Sequence, residues 1–156
     1  MKKWILAALS VLIVVIVSSC KKDELVNSDG YKYHIEINSI TLHELTEATP
    51  VKGSFQRKYK IKTDTSVVPI TRIYTNAFDI TLNGQTQDFY FNNPEGAISC
   101  EFDVKVEILE GGAAGNATIS SLTVSEDKSV IFKEENITLI GRNTDFFNTP
   151  VYNIEF

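Results

Sequence analysis

The sequence predicts an all-β protein: an antiparallel β-sandwich of about eight or nine strands. Three observations carry that expectation. From Ile98 to Leu109 the side chains alternate strictly, with Ile98, Cys100, Phe102, Val104, Val106 and Ile108 in one phase and Glu101, Asp103, Lys105 and Glu107 in the other. Such a period of two, with one charged face, belongs to a sheet with one side in water. Similar short runs recur along the chain between turn residues, which is the spacing of a sandwich. No segment after residue 30 carries a helical period. A small barrel is the second architecture this pattern permits.

The first strand is marked by Tyr31, Tyr33, Ile35 and Ile37, which alternate with Lys32, His34 and Glu36 before the apolar phase slips to Ile40 and Leu42. A slip of one residue predicts a bulge near Asn38-Ser39. Phe55, Tyr59 and Ile61 mark a second strand. Ile70, Tyr74, Phe78, Ile80 and Leu82 mark a third, ending at Asn83-Gly84. That dipeptide suits a two-residue hairpin turn, so Thr86 to Phe91 is expected to return as the partner of the third strand. After the strand from Ile98, the stretch Glu110 to Asn116 holds three glycines and reads as a loop. Further strands are expected at about 117–124, 129–133, 136–141 and 150–156, with Glu126-Asp127-Lys128 as a turn.

The sandwich topology stays open among immunoglobulin-like, transthyretin-like and C2-like arrangements, because no signature of any of them stands out. The N-terminus is more specific. Met1-Lys2-Lys3 is followed by an apolar run from Trp4 to Val17 broken only by Ser10, and Val17-Ser18-Ser19-Cys20 closes it. These are the parts of a secretory signal. The apolar run is shorter than the roughly 20 residues that span a bilayer. Val17-Ser18-Ser19-Cys20 resembles the lipobox of bacterial lipoproteins: an aliphatic residue, two small residues and a cysteine. The resemblance implies that Cys20 is acylated and becomes the first residue of the mature chain. Acyl chains of the palmitate type contribute about 0.8 kcal/mol per buried methylene, so several chains on one residue hold the protein to a membrane. Lys21-Lys22-Asp23-Glu24 resembles the export signal of Bacteroidota surface lipoproteins, which implies an outer-membrane address facing the exterior. A periplasm-facing tether is the alternative. The organisation expected is a signal peptide at 1–19, lipidated Cys20 with a polar tether over 20–30, and one domain over 31–156.

The 126 residues left after the first 30 of 156 suit a single domain. Without Lys2 and Lys3 the 15 basic residues fall to 13 against 20 acidic ones, a net charge of −7. That balance disfavours a nucleic-acid partner, which takes a basic patch, and none is expected. In the basic cluster Arg57, Lys58, Lys60 and Lys62, the three lysines alternate with Tyr59 and Ile61 and form the wet face of a strand, so the cluster reads as a solvated face. Only two cysteines exist, and with Cys20 acylated Cys100 has no partner for a disulfide. Its phase makes it a buried small hydrophobe.

Catalysis needs convergent reactive groups. His34 and His43, the only histidines, fall on the polar phase or at the end of the first strand. Glu101, Asp103 and Glu107 face water and are expected to pair across strands with the lysines. Oxygen-rich stretches occur at Asp88 to Glu95 and Asp145 to Asn148, yet no Asp-x-Asp-x-Asp spacing of a calcium loop appears. No catalytic residue, cofactor or metal is therefore expected. The candidate ligand-binding residues are the aromatics and amides of two loops: Tyr90, Asn92 and Asn93, and Asp145, Phe146 and Phe147. Aromatic faces beside amides suit a sugar or a partner protein, and loops on a rigid scaffold are where binding concentrates. The competing reading is that Phe146 or Phe147 plugs the end of the core. The expected function is a non-enzymatic, membrane-anchored lipoprotein whose β module binds a glycan or an envelope protein. The alternative is a structural lipoprotein of a secretion, adhesion or fimbrial machine.

Overall fold

A computed structural model describes residues 30–44, 51–65, 67–81, 83–109, 114–143 and 146–156. The segment read as a signal peptide, Cys20, positions 21–29 of the expected tether and Asp145 lie outside the described residues. The chain divides into two units, Met1–Gly30 and Tyr31–Phe156. The second unit is all-β: among the described residues 75% are in strands and none is in a helix. The strands are β1 (Tyr33–His43), β2 (Val51–Ile61), β3 (Ile70–Ile80), β4 (Gln85–Phe91), β5 (Ala97–Ile108), β6 (Asn116–Glu126), β7 (Ser129–Asn143), β8 (Phe146–Asn148) and β9 (Tyr152–Glu155).

Alternation decides which side of each strand is buried. In β5, Cys100, Phe102, Val104, Val106 and Ile108 are buried, while the charged phase stays at the surface. In β2, Val51, Phe55, Tyr59 and Ile61 point the same way. In β1, Tyr33, Ile35 and Ile37 are buried before the phase changes to Ile40 and Leu42. The change is a bulge: the register against β4 shifts between Ile37 and Ile40, and Ser39 has φ 57°. Each large apolar side chain buried this way contributes about 1.5–3 kcal/mol.

All pairings are antiparallel and join the nine strands into one sheet, in the order β3-β2-β5-β8-β7-β6-β1-β4, with β9 beside β5. The sheet curls until it is nearly a barrel. The link between its halves is β7, which pairs with β6 through Leu139 and with β8 from Ile140. Because this path is continuous, the pairing does not resolve the two separate sheets of a sandwich.

Two expectations need correction. The segments at 129–133 and 136–141 form one strand, β7, in which Asn136 adopts φ 54° without ending the pairing. Thr86 to Phe91 also does not return against the third strand: β4 pairs with β1. Side chains divert it. Gln85 Oε1 accepts from the Thr81 amide at 3.1 Å and Gln85 Nε2 donates to the Asp79 carbonyl at 3.4 Å, taking backbone groups that a hairpin would use. The turn docks instead on β1. The Gly84 amide donates to Ile40 O at 2.8 Å, and Asn83 Oδ1 accepts from the Leu42 amide at 3.0 Å.

Candidate functional site

The two loops singled out in the sequence lie at opposite ends of β5. Asn92 and Asn93 precede its first residue, Ala97, whereas Phe146 pairs with Glu107 near its last. Ten residues at about 3.4 Å each separate the two groups by roughly 34 Å along the strand. Tyr90, Asn92 and Asn93, neighbours in sequence, stay at one end of β5, and Phe146 and Phe147 lie at the other.

Their environments differ too. The Tyr90 ring stacks on His34 at 4.5 Å on the outer face of β4 and β1, where Asp88 Oδ1 meets His34 Nε2 at 2.8 Å. Asn92 Oδ1 accepts from the Lys32 amide at 2.8 Å. Asn93 Oδ1 is buried with no hydrogen-bond partner. Phe147 is 4% exposed between Val106 and Gly141, so it is a core side chain. Phe146 is half-buried, with Lys105 Nζ 4.0 Å from its ring centre.

The reactive groups are committed to structural contacts. His43 bonds the Thr118 hydroxyl at 2.9 Å. Lys58 Nζ reaches Glu101 at 3.1 Å and Lys60 Nζ lies 3.9 Å from it, the cross-strand pairing expected. Burial pushes the Cys100 thiol up to about 11. Among the described residues, no group of three or more His, Cys, Asp or Glu is arranged to hold a metal ion.

Arg57 departs from the sequence reading: it is 8% exposed. It stands in phase with Phe55 and Tyr59, and that phase was the signal available in the sequence. Its guanidinium lies 4.1 Å from the centre of the Phe91 ring and donates to Asn76 Oδ1 at 2.8 Å. Its Nε and the nearby Tyr59 hydroxyl are buried with no hydrogen-bond partner, and burial raises the Tyr59 pKa.

The feature the sequence did not reveal is a cleft between β7 and β9. It is an open space of about 550 Å³ bordered by Ile131 and Phe132 on one side and Asn153 to Phe156 on the other. Its origin is in the pairing. Low on β5, the three residues of β8 fasten β5 to β7. Higher up, β9 pairs with β5, while β7 as far as Leu139 has β6 as its strand partner. A bulge at Ile131, where the β6 register shifts between Val124 and Ser125, bends β7 at this point. Two strand edges therefore face each other across the opening. Phe132, Ile154 and Phe156 give it an apolar lining, and the Phe132 ring rests on Tyr152 at 5.0 Å and on the buried Phe102 at 5.2 Å.

Charge on this cleft is lopsided. Lys32 Nζ sits 2.6 Å from Glu126 Oε1, which also accepts from the Tyr33 hydroxyl at 2.9 Å. The Lys32 contact, then the Tyr33 hydroxyl, holds the Glu126 carboxyl below its ordinary range. Glu134 pairs in register with fully buried Leu122, so its side chain is on the inward face, yet it is exposed because the wall is open there. Burial, then the charge of Glu134, raises the Tyr152 pKa. Glu155 is exposed on β9.

No protein-family model, curated protein or solved structure matches the chain.

Proposed function

We propose that this chain is a non-enzymatic lipoprotein, anchored through Cys20 to the outer membrane and facing outward, whose β module binds a protein partner. The observation that supports this reading best is the cleft between β7 and β9, where a nearly closed sheet leaves two strand edges without each other. Unpaired edges are templates for another chain, and proteins generally cover or blunt them. The adjacent surface adds apolar contact area, since Val130 is 59% and Ile131 39% exposed. A glycan reading rests on Tyr90, Asn92 and Asn93 alone, because Phe146 is far from them and Phe147 is in the core. The halves of the curled sheet pack face to face through contacts such as Phe55 on Phe89 at 5.9 Å, which supports treating the module as sandwich-like.

The test is photo-crosslinking in intact cells, with the reactive residue placed at Ile131 or Asn153 on the cleft, Ile73 on β3 and Asp88 on β4. A discrete adduct with one protein is expected. No adduct from any of the four positions would end the protein-partner reading. For the anchor, Cys20→Ala is expected to move the chain from the membrane fraction to the soluble one.

A further inference from the structure

We infer that the β7–β9 cleft takes an extended polypeptide segment, added as a strand, whose side chains alternate apolar residues with lysine or arginine. The inference rests on the protein-partner reading and names the partner's chemistry.

Size comes first. A strand residue occupies about 3.4 Å along the chain, about 4.8 Å between strands and about 10 Å through the sheet, or roughly 160 Å³. A space of about 550 Å³ therefore takes roughly three to four strand residues. The free edge of β9, Tyr152–Glu155, is four residues long. Main-chain groups come second. In a strand addition they supply affinity, while alternate side chains meet surface pockets and supply specificity. β8 and β9 both run antiparallel to β5, and β7 runs antiparallel to β8. An inserted strand is thus antiparallel to one wall and parallel to the other, and both patterns of hydrogen bonds are open to it.

The side chains then choose the sequence. Inward positions of the guest meet Phe132 and Ile154, which line the cleft and favour apolar groups. The cleft's cation, Lys32, is already joined to Glu126. Glu155, in the outward phase of β9, remains as a carboxylate on the rim, which favours cations at the guest's outward positions and repels acidic segments. The negative balance of the chain acts in the same direction.

The experiment uses the full chain in detergent micelles and two blocked octapeptides, one alternating valine with lysine and one alternating valine with glutamate. Binding is followed by titration and by amide hydrogen exchange. The lysine peptide is expected to bind, to protect amides at 131–134 and 153–155, and to lose affinity as salt rises. The glutamate peptide is expected not to bind. Glu155→Lys, at an exposed position on the rim, is expected to weaken the lysine peptide on the order of tenfold and to admit the glutamate peptide. Equal binding of both peptides, protection confined to β3, or no protection at all would overturn the inference. If cells yield a crosslinked partner from Ile73 or Asp88 while the cleft amides stay unprotected, strand insertion falls and the protein-partner reading stands. If crosslinking fails at every position, the broader reading falls as well.

Discussion

Adding one methyl group at Gly53 should destabilise the fold by about 2 kcal/mol, because Phe78 occupies the space where that methyl would go. Gly53 sits on the buried face of β2 and pairs with Phe78 on β3 and Val106 on β5. A Cβ at Gly53 would lie 2.0 Å from Phe78 Cε2 and 2.1 Å from Cζ. The ring cannot slide toward the core, since Phe89 lies 5.6 Å away and is itself stacked on Phe55. It must swing toward solvent. Phe buries about 150–250 Å² when fully covered, so exposing about half costs roughly 2.5 kcal/mol at about 25 cal/mol per Å². Replacing glycine by alanine returns about 0.4–1 kcal/mol by restricting the unfolded chain. The remainder, about 2 kcal/mol, lies within the usual range for overpacking. Urea unfolding of Gly53→Ala should show it as a midpoint lowered by about 1 M, given a slope near about 2 kcal/mol/M. The decisive arm is a double-mutant cycle with Phe78→Ala. Once the ring is gone the alanine has room, and Gly53→Ala should become neutral or slightly stabilising. If Gly53→Ala costs under about 0.5 kcal/mol alone, or costs the same in both backgrounds, the steric argument is refuted.

Three further expectations come from the same geometry. Phe147→Ala should cost about 3–5 kcal/mol as a core truncation, while Tyr90→Ala on the outer face should cost under about 1 kcal/mol; chemical unfolding separates them, and equal costs would show that one residue is misplaced. The Glu126 carboxyl, held below its ordinary 4.5 by Lys32 and then Tyr33, stabilises the fold above that value and loses the contribution as pH falls through the lowered one. Lys32, raised above 10.5 chiefly by its bond to Glu126, contributes below that value and loses its share as pH rises through the raised one. Lys32→Met should therefore move the Glu126 carboxyl titration upward in NMR; an unchanged titration would remove the ion pair from the account. With its thiol pushed up to about 11 by burial, Cys100 should be about 0.1% thiolate at about pH 8 and resist alkylation until denaturant is added. Rapid labelling of the native chain would contradict its burial.

The sequence by itself determined the strand character of the chain and the buried phase of most strands. Alternation is a local property: side chains at i and i+2 share a face whatever lies opposite. For that reason the core of β1, β2 and β5, the bulge near Asn38-Ser39, the burial of Cys100 and the wet faces of Lys58 and Glu101 could all be read from residue order. Arg57 shows the limit of that reading. Its phase was apolar, but its charge suggested water, and only the surrounding Phe91 ring and Asn76 amide decided for burial.

Partners between strands were decided by the tertiary structure, because a strand edge carries the same backbone groups along its whole length. The alternation of β4 does not tell it to join β1. The choice lies with Gln85, which occupies the groups a hairpin needs, and with Asn83 and Gly84, which fasten the turn to β1. The same reason hid the cleft. It exists because β8 closes the wall on β7 over three residues and β9 does not, so two edges distant in sequence end up facing each other. The stretches around Asn92 and Phe146 looked alike in composition, yet β5 runs nearly its full length between them, and only the folded chain could show that they do not meet.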